Sequence, residues 1–251
     1  MRPVEPDTVI EAHELTLRYQ GRTALDHVNL ALPRGATVGL LGRNGAGKST
    51  LLRCLVGLTL ANEGRSALLG CDSTRLDDAT RGCIGYVSQT ADLLHWLKVW
   101  QHIEYIGSFY PRWQAERAHT LCRRLVLDES AKVSALSVGD QQKLALVLAM
   151  AHDPDLLLLD EPVASLDPLA RRDFMRLLFE DDGARHTPRT VLLSSHLLTD
   201  LERVVSHVII LREGRVQRQG EWDALQEQSG QSLEDLFVQL NAEPARSGVA
   251  A

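Results

Sequence analysis

The amino-acid sequence predicts an α/β fold with a mostly parallel sheet, an N-terminal antiparallel β subdomain and a helical insert subdomain. Four consecutive leucines at 156–159, bounded by breakers, are typical of a central parallel strand buried on both faces. Near the N-terminus, Val28, Leu30 and Leu32 alternate with polar or small residues, as in a half-buried antiparallel strand. Residues 92–152 carry helical patterns and interrupt the series of strand-like runs.

Length and composition predict one globular domain over residues 1–251. Hydrophobic residues make up 44% of the chain and charged residues 24%, which is ordinary for a soluble protein. The formal net charge of −6 disfavours nonspecific nucleic-acid binding, so no nucleic-acid partner is expected. The apolar runs are far shorter than the roughly 20 residues that span a bilayer. The N-terminus also lacks the apolar core of a signal peptide. If this protein works at a membrane, we expect another subunit to cross it.

The cysteine and histidine spacings indicate neither a zinc site nor a redox motif. Cys54, Cys71, Cys83 and Cys122 form no C-x-x-C pair, and the nine histidines show no H-E-x-x-H spacing. We interpret the cysteines as reduced thiols in a cytosolic protein.

Strands are predicted wherever a short apolar run is bounded by turn residues or breakers. Two of them lie within 9–32 and are joined by a turn at 20–22. The others are predicted at 37–41, 65–69, 83–87, 156–159, 190–193, 208–211 and 215–219.

Helices are predicted from apolar spacing and from their end signals. Ser137 is the expected N-cap of one helix, with Asp140 at the third helical position, and Asp167 is the expected cap of another that begins at Pro168. Outside the 92–113 segment, helices are predicted at 51–58, 114–126, 137–152, 168–180, 221–228 and 232–240. The tail at 241–251 is predicted to be disordered.

Half of the twelve aromatic residues are concentrated at the start of the helical insert. They are Trp96, Trp100, Tyr105, Phe109, Tyr110 and Trp113. Trp96, Trp100, Ile103 and the pair at 109–110 are compatible with one helix face. Two interpretations stay open: packing inside the insert, or a docking surface for a partner.

One glycine-rich segment matches the phosphate-binding loop of nucleoside triphosphatases, G-x-x-x-x-G-K-[S/T]. It consists of Gly42, Arg43, Asn44, Gly45, Ala46, Gly47, Lys48, Ser49 and Thr50. The alternative is a glycine-rich turn before a helix, but a strand before it and a helix after it favour the phosphate loop of a P-loop NTPase core. Lys48 would reach the β- and γ-phosphates of ATP, and the Ser49 hydroxyl would ligate Mg²⁺.

Four predicted strands end in polar residues that can meet at one edge of a parallel sheet. They lead into the phosphate loop, Gln89, Asp160–Glu161 and His196. Asp160 is placed to hold Mg²⁺ and Glu161 to orient or deprotonate the attacking water. Gln89 could sense Mg²⁺ and water, and His196 could contact the γ-phosphate. Alone, Asp160–Glu161 could be only a polar strand end, and Gln89 or His196 would indicate no function. Together with the phosphate loop they predict an ATPase site.

The segment Leu136-Ser137-Val138-Gly139-Asp140 makes the resemblance specific. It resembles LSGGQ, the signature of ABC (ATP-binding cassette) transporter ATP-binding subunits, and it precedes the 156–159 strand as in that family. The resemblance covers residues 9 to about 240. It implies adenine stacking on Tyr19, a Q-loop at Gln89, a D-loop ending at Asp167 and a switch histidine at His196.

The resemblance also implies partners and location. Two copies would pack head to tail, with Ser137 and Gly139 of one copy capping the γ-phosphate held by the other. Integral membrane permease subunits would be separate chains, with this chain peripheral on the cytoplasmic face of the membrane. The segments at 109–113 and 232–237 look similar to exporter subunits of the ABC-2 type.

Two residues depart from the family signature. Val138 replaces a glycine of the signature and Asp140 replaces its glutamine, which puts a carboxylate near the expected γ-phosphate.

A second function stays open beside the transporter subunit. It is a soluble ABC ATPase for assembly or regulation, as in iron–sulfur cluster assembly, without a membrane partner.

Overall fold

The computed structural model describes residues 7–179, 188–195 and 201–242. Its strands are β1 (Thr8–Tyr19), β2 (Arg22–Pro33), β3 (Thr37–Leu41), β4 (Glu63–Leu68), β5 (Cys71–Asp72), β6 (Ile84–Val87), β7 (Leu156–Asp160), β8 (Thr190–Ser195), β9 (His207–Arg212) and β10 (Arg215–Glu221). Its α-helices are α1 (Lys48–Leu55), α2 (Asp78–Arg81), α3 (Val99–Gly107), α4 (Ala115–Arg124), α5 (Val138–Met150), α6 (Pro168–Phe179), α7 (Trp222–Ser229) and α8 (Leu233–Ala242).

The central sheet has six strands in the order β10-β9-β3-β8-β7-β6. Five of them are mutually parallel, and β10 runs antiparallel to β9. All five residues of β7 are buried, as expected for a parallel strand covered on both faces. Its register pairs Asp160 with Ser194 and Leu159 with Val87, so neighbouring strands end at the same edge of the sheet.

The second sheet is antiparallel, with strand order β2-β1-β4-β5. Its buried side chains share one core with α1 and with one face of the central sheet, including Leu158 and Leu192. The opposite face, including Leu157 and Leu193, packs in a second core with α3 to α6. Side chains alternate along a strand, so consecutive leucines enter different cores. The predicted α/β class with its antiparallel N-terminal part is therefore confirmed.

Helix α1 begins and ends earlier than predicted. It starts at Lys48, directly after the phosphate loop, and ends at Leu55 rather than at residue 58. Gly57 has a φ of 74°, and a Cβ there would lie 2.0 Å from the carbonyl oxygen of Ser73. The chain therefore leaves the helix through a conformation that only glycine fits at this contact, and Leu58 is exposed.

The aromatic residues of the insert do not share one helix face, so that prediction was wrong. Helix α3 covers only 99–107, which leaves Trp96 before it and Phe109 after it. Ile103 is buried, whereas Trp96 is 73% exposed. A helical spacing places residues on a common face only within one continuous helix, and the chain is not one helix over 96–110.

The aromatic residues of the insert divide between packed and exposed positions, so packing is confirmed for some members and the docking surface stays a prediction for the others. Trp113 packs so closely on Gly107 that a Cβ there would lie 2.5 Å from the indole Nε1, and Tyr110 stacks on the buried His152 with ring centroids 4.3 Å apart. Tyr105 and Phe109 instead form an edge-to-face pair, 5.3 Å between centroids, on the surface. The insert thus uses some aromatics for packing and leaves others exposed.

The C-terminal segment is helical further than predicted. Asn241 and Ala242 belong to α8 rather than to a disordered tail, and residues 243–251 lie outside the described residues. Across 7–179, 188–195 and 201–242, no helix is long and apolar enough to cross a membrane.

Candidate functional site

The glycine-rich loop winds between the end of β3 and the first residue of α1. Gly45 and Gly47 have φ values of 82° and 108°, in the left-handed region. Close backbone contacts also exclude a side chain at two positions of the loop. A Cβ on Gly47 would lie 2.6 Å from the carbonyl oxygen of Ala24, and a Cβ on Gly42 would lie 2.6 Å from that of Leu211. The loop ends at the N-terminus of α1, whose free N–H groups favour anions.

An open cavity of about 490 Å³ lies over this loop. Its lining includes most of the predicted nucleotide residues, namely Tyr19, Arg43, Asn44, Gly45, Gly47, Lys48, Ser49, Thr50, Gln89 and Glu161. Arg22, Thr23 and Ala24 line it as well, and they were missed at the sequence level because the β1–β2 turn carries no motif. Tyr19, at the end of β1, is half exposed at this cavity. Residues contributed by four separate chain segments therefore share one concave surface.

Lys48 and Glu161 pair at the floor of the cavity. The Lys48 ammonium donates to the Gly42 carbonyl oxygen at 2.7 Å and lies 3.1 Å from Glu161 Oε1. Both side chains are only 6% exposed. Burying a charged group is costly unless it is paired with an opposite charge, and this ion pair supplies that partner at the floor of the cavity.

Ser194 forms hydrogen bonds with both acidic residues at the end of β7, with the side chain of Asp160 and with the backbone of Glu161. The Ser194 hydroxyl donates to Asp160 Oδ1 at 2.8 Å and accepts from the Glu161 N–H at 2.8 Å. Glu161 has a φ of 49°, which is unusual for a residue other than glycine. Sequence reasoning missed Ser194, although a polar residue at the end of the neighbouring buried strand is a signal that could have found it.

Asp160, Ser49 and Gln89 carry oxygen atoms of the kind that a hard divalent cation binds. Ser49 and Gln89 line the cavity, whereas Asp160 is not among its lining residues. Within the described residues, no hydrogen bond or ion pair engages Asp160 Oδ2, and Ser49 and Gln89 supply oxygen atoms at the cavity wall. Residues 7–179, 188–195 and 201–242 contain no cluster of three or more His, Cys, Asp or Glu side chains that could hold a metal by themselves. This donor set fits Mg²⁺, which is commonly held by one or two carboxylates together with substrate phosphates and waters.

Ser137 caps α5, as the sequence predicted. Its Oγ accepts from the Asp140 N–H at 3.1 Å and donates to Asp140 Oδ2 at 2.8 Å. Lys143 lies 2.8 Å from Asp140 Oδ1. Burial raises the pKa of Asp140, but the hydrogen bonds from Lys143 and Ser137 outweigh it and lower the pKa below its ordinary value. Asp140 is therefore a paired, ionised carboxylate at neutral pH.

The signature residues lie away from the cavity of their own chain. Neither Ser137 nor Gly139 is among its lining residues, and a Cβ on Gly139 would lie 3.2 Å from the Ser165 carbonyl oxygen. Asp167, in the same region, caps α6 by accepting from the N–H groups of Leu169 and Ala170 at 2.9 and 3.0 Å. A single chain therefore does not bring these residues to the phosphate loop.

One buried side chain joins the signature helix to the strand end that carries Gln89. Gln142 is 4% exposed, and its Nε2 donates to the carbonyl oxygen of Ser88 at 3.3 Å. Sequence reasoning missed this contact because the two residues are 54 positions apart. His196, the predicted switch histidine, lies outside the described residues.

Comparisons with known sequences point to one family. A family profile described as "ABC transporter" matches residues 25–164. The chain is 33% identical over 245 residues to the probable multidrug ABC transporter ATP-binding protein YbhF of Escherichia coli (strain K12), covering 93% of this chain. The match spans only 42% of YbhF. The chain is also 35% identical over 224 residues to the nickel import ATP-binding protein NikO of Rhodobacter capsulatus, covering 84% of this chain and 88% of NikO.

Solved structures have the same fold. An ATP-binding subunit of an ABC transporter matches with a TM-score of 0.83 and 30% identity, covering 93% of this chain and all of that one. The ATP-binding cassette MJ0796, solved as a dimer in a post-hydrolysis state with ADP and Pi, matches with a TM-score of 0.75 and 26% identity. That match covers 84% of this chain and 98% of the MJ0796 chain.

Proposed function

The chain belongs to the ABC transporter family, and we propose that it is the ATP-hydrolysing subunit of an exporter whose membrane permease subunits are separate chains. ATP binding and hydrolysis are the activities of this family of cassettes. The observation that carries the proposal is the cavity that unites the phosphate loop, Tyr19, Gln89 and Glu161.

In this proposal each side chain of the cavity has a distinct task. Tyr19 stacks on the adenine ring, and the backbone N–H groups of the loop bind the phosphates. Lys48 leaves its pairing with Glu161 and binds the β- and γ-phosphates. Glu161 then orients and deprotonates the attacking water, which its position beside Lys48 supports.

Ser49, Asp160 and Gln89 are the residues that would hold Mg²⁺. The ion would supply positive charge that neutralises the phosphate oxygens. The oxygen atoms these side chains offer, including the unengaged Oδ2 of Asp160 among the described residues, support this assignment.

A second copy of the chain completes the site in this proposal. Ser137 and Gly139 are absent from the cavity of their own chain, so the N-terminus of α5 is available for a nucleotide held by another copy. The dimeric form of MJ0796 supports the pairing of two copies, and the head-to-tail arrangement follows from the family resemblance. His196 would contact the γ-phosphate as the switch histidine.

The permease partners are proposed to dock on the helical insert. Trp96, Trp100, Tyr105 and Phe109 leave large apolar surfaces exposed there, and such surface often marks an interface. In this arrangement the chain lies on the cytoplasmic face of the membrane, bound to its permease. Export rests on the resemblance of segments 109–113 and 232–237 to ABC-2 type exporters, since relatives of this chain include an importer, NikO.

Lys48→Ala tests the proposed ATP site. Loss of a charged hydrogen-bond donor is expected to weaken binding of an ATP analogue about 10- to 100-fold, with ATP hydrolysis falling as well. Calorimetric titration and phosphate release measure these two effects. Arg53→Ala is the matched control, because Arg53 lies on the same helix and outside the cavity lining.

Two results would decide against the assignment. Wild-type binding and turnover in Lys48→Ala would exclude Lys48 from the nucleotide site. A wild-type chain that hydrolyses ATP at full rate in the absence of any permease, and that co-purifies with no membrane protein, would favour the soluble assembly alternative.

A further inference from the structure

The Ser194 hydroxyl contacts both acidic residues of the proposed ATPase site, the side chain of Asp160 and the backbone N–H of Glu161. Its strand, β8, lies between β3, which leads into the phosphate loop, and β7, which leads into Asp160 and Glu161. The register places Ser194 opposite Asp160 on one side and opposite Leu40 on the other. A side chain at this position is therefore at the centre of the sheet edge where the site is built.

The sheet also determines which way Ser194 faces. Leu192 and Leu158, two residues before Ser194 and Asp160, both pack in the core that contains α1. Because side chains alternate along a strand, Ser194 and Asp160 face α1 as well. This is the side on which Lys48 and Ser49 begin that helix.

The hydrogen bonds of the Ser194 hydroxyl have only one consistent direction. The Glu161 N–H can only donate, so the hydroxyl accepts from it and its own hydrogen is directed to Asp160 Oδ1. Ser194 is fully buried and Asp160 is 2% exposed, so water does not compete for these bonds. Both carboxylate-bearing residues are thereby oriented by one hydroxyl.

Each of these contacts has a consequence for the site. The bond to Oδ1 orients the carboxylate of Asp160, so that Oδ2 is the oxygen without a partner among the described residues. The bond to the Glu161 N–H supports a backbone at φ 49°, which is disfavoured unless surrounding contacts maintain it. In this backbone conformation Glu161 Oε1 lies 3.1 Å from Lys48 Nζ.

We propose that Ser194 is a positioning residue that orients Asp160 for divalent-cation binding and Glu161 for catalysis. The proposal rests on the roles assigned above to those two acids. Ser194 does not touch the substrate in this proposal, and it acts only through its two hydrogen bonds.

Ser194→Ala in the full chain tests the proposal. Removing a group that orients a metal ligand typically costs about 10- to 100-fold in metal affinity or activity. We expect the Mg²⁺ concentration for half-maximal binding of a non-hydrolysable ATP analogue to rise by about tenfold or more. We expect kcat to fall by about 10- to 100-fold, with a much smaller change in the KM for ATP.

Two further variants separate positioning from folding. Thr190→Val is the matched control: Thr190 lies on the same strand, is buried, and its Oγ1 accepts from the Gly35 N–H at 2.8 Å, far from the two acids. It should lose stability without a change in Mg²⁺ dependence. Ser194→Thr keeps the hydroxyl and should recover most of both measured quantities. If Ser194→Ala does not fold, Ser194→Cys, a weak donor of similar shape, should show the same loss.

The binding and turnover measurements distinguish two kinds of failure. If Ser194→Ala matches wild type in Mg²⁺ dependence and kcat, or if Thr190→Val shows the same losses, the positioning role is excluded. If the wild-type chain binds the analogue in an Mg²⁺-dependent way but does not turn over, the assigned hydrolytic role fails. The Mg²⁺ titration of Ser194→Ala still tests the positioning of Asp160 in that case.

Discussion

At the residue scale, Asp140 shows how a charge that is unfavourable for a ligand can be tolerated by a fold. Its carboxylate stands at the N-terminus of α5, where a negative charge stabilises the helix. Lys143 neutralises it at 2.8 Å, and the Ser137 hydroxyl donates to it rather than remaining available to a phosphate. Helix α5 is therefore well capped, but the Asp140 carboxylate competes with a bound phosphate for the hydrogen of the Ser137 hydroxyl.

Asp140→Gln is therefore expected to strengthen ATP-driven dimerisation and to raise ATP hydrolysis by about two- to fivefold, which corresponds to about 0.5–1 kcal/mol for a charge at a helix terminus. Glutamine is also a good partner in a capping box, so the thermal unfolding temperature should change little. Light scattering with ATP and phosphate release provide the two measurements. Equal or lower hydrolysis in Asp140→Gln, with the partner subunit present, would show that the carboxylate does not oppose the phosphate.

At the element scale, the insert is organised around what its helices bury and what they leave outside. Ile103 of α3 and Leu121 of α4 pack against α5, in the core that also includes one face of the central sheet. Gln142 then links α5 to the carbonyl of Ser88, next to Gln89. The insert is thus joined to the proposed nucleotide site through α5, whereas Trp96 and Trp100 lie on its surface.

Replacing Trp96 and Trp100 with glutamine is expected to weaken permease binding by about 2 kcal/mol or more per tryptophan, about 30-fold in affinity. The stability of the isolated chain should change little for Trp96, because surface substitutions usually cost within about 0.5 kcal/mol. Co-purification from detergent extracts and permease-stimulated hydrolysis measure the interface. Val126→Gln is the control, since Val126 is an exposed apolar residue elsewhere on the insert. Global unfolding of the tryptophan variants would instead mean that these rings belong to the core.

At the scale of the whole molecule, the two halves of the proposed catalytic site lie on different parts of the surface. The phosphate loop, Lys48 and Glu161 line one cavity, and the signature residues at the start of α5 are not part of it. Helices α1 and α5 are packed into the cores of the chain. The signature residues at the start of α5 therefore cannot reach the phosphate loop of the same chain unless those cores unfold. The proposed catalyst is therefore a dimer, and its activity should depend on protein concentration.

Glu161→Gln is expected to bind ATP, to reduce turnover by about 100- to 10,000-fold, and to accumulate a closed dimer. Removing the carboxylate also frees Lys48 from its 3.1 Å partner, so ATP affinity should rise rather than fall. Size-exclusion chromatography with and without ATP detects the dimer, and Lys48→Ala serves as the variant that should stay monomeric. Near wild-type hydrolysis in Glu161→Gln would exclude Glu161 as the base.

Much of this molecule follows from local sequence signals. The leucine run at 156–159 predicted a buried parallel strand, and the glycine spacing at 42–50 predicted a phosphate loop between a strand and a helix, because both are patterns of short segments. The Ser137 cap and the Asp167 cap were likewise readable, since each acts within three residues. Helix ends were less accurate, as α1 shows, because the contact that ends it at Gly57 involves Ser73.

Contacts between distant segments were decided only by the tertiary structure. The sequence alone determined the fold class, the phosphate loop and the acids at the end of β7. The bridge from Ser194 to Asp160 and Glu161, the pairing of Lys48 with Glu161, and the link from Gln142 to Ser88 depend on strand register and helix packing. Register is the sum of many weak packing preferences over the whole sheet, and no short pattern encodes it. That is why residues within a motif could be recognised as candidates in the sequence, whereas Ser194 and the contacts that orient Asp160 and Glu161 could not.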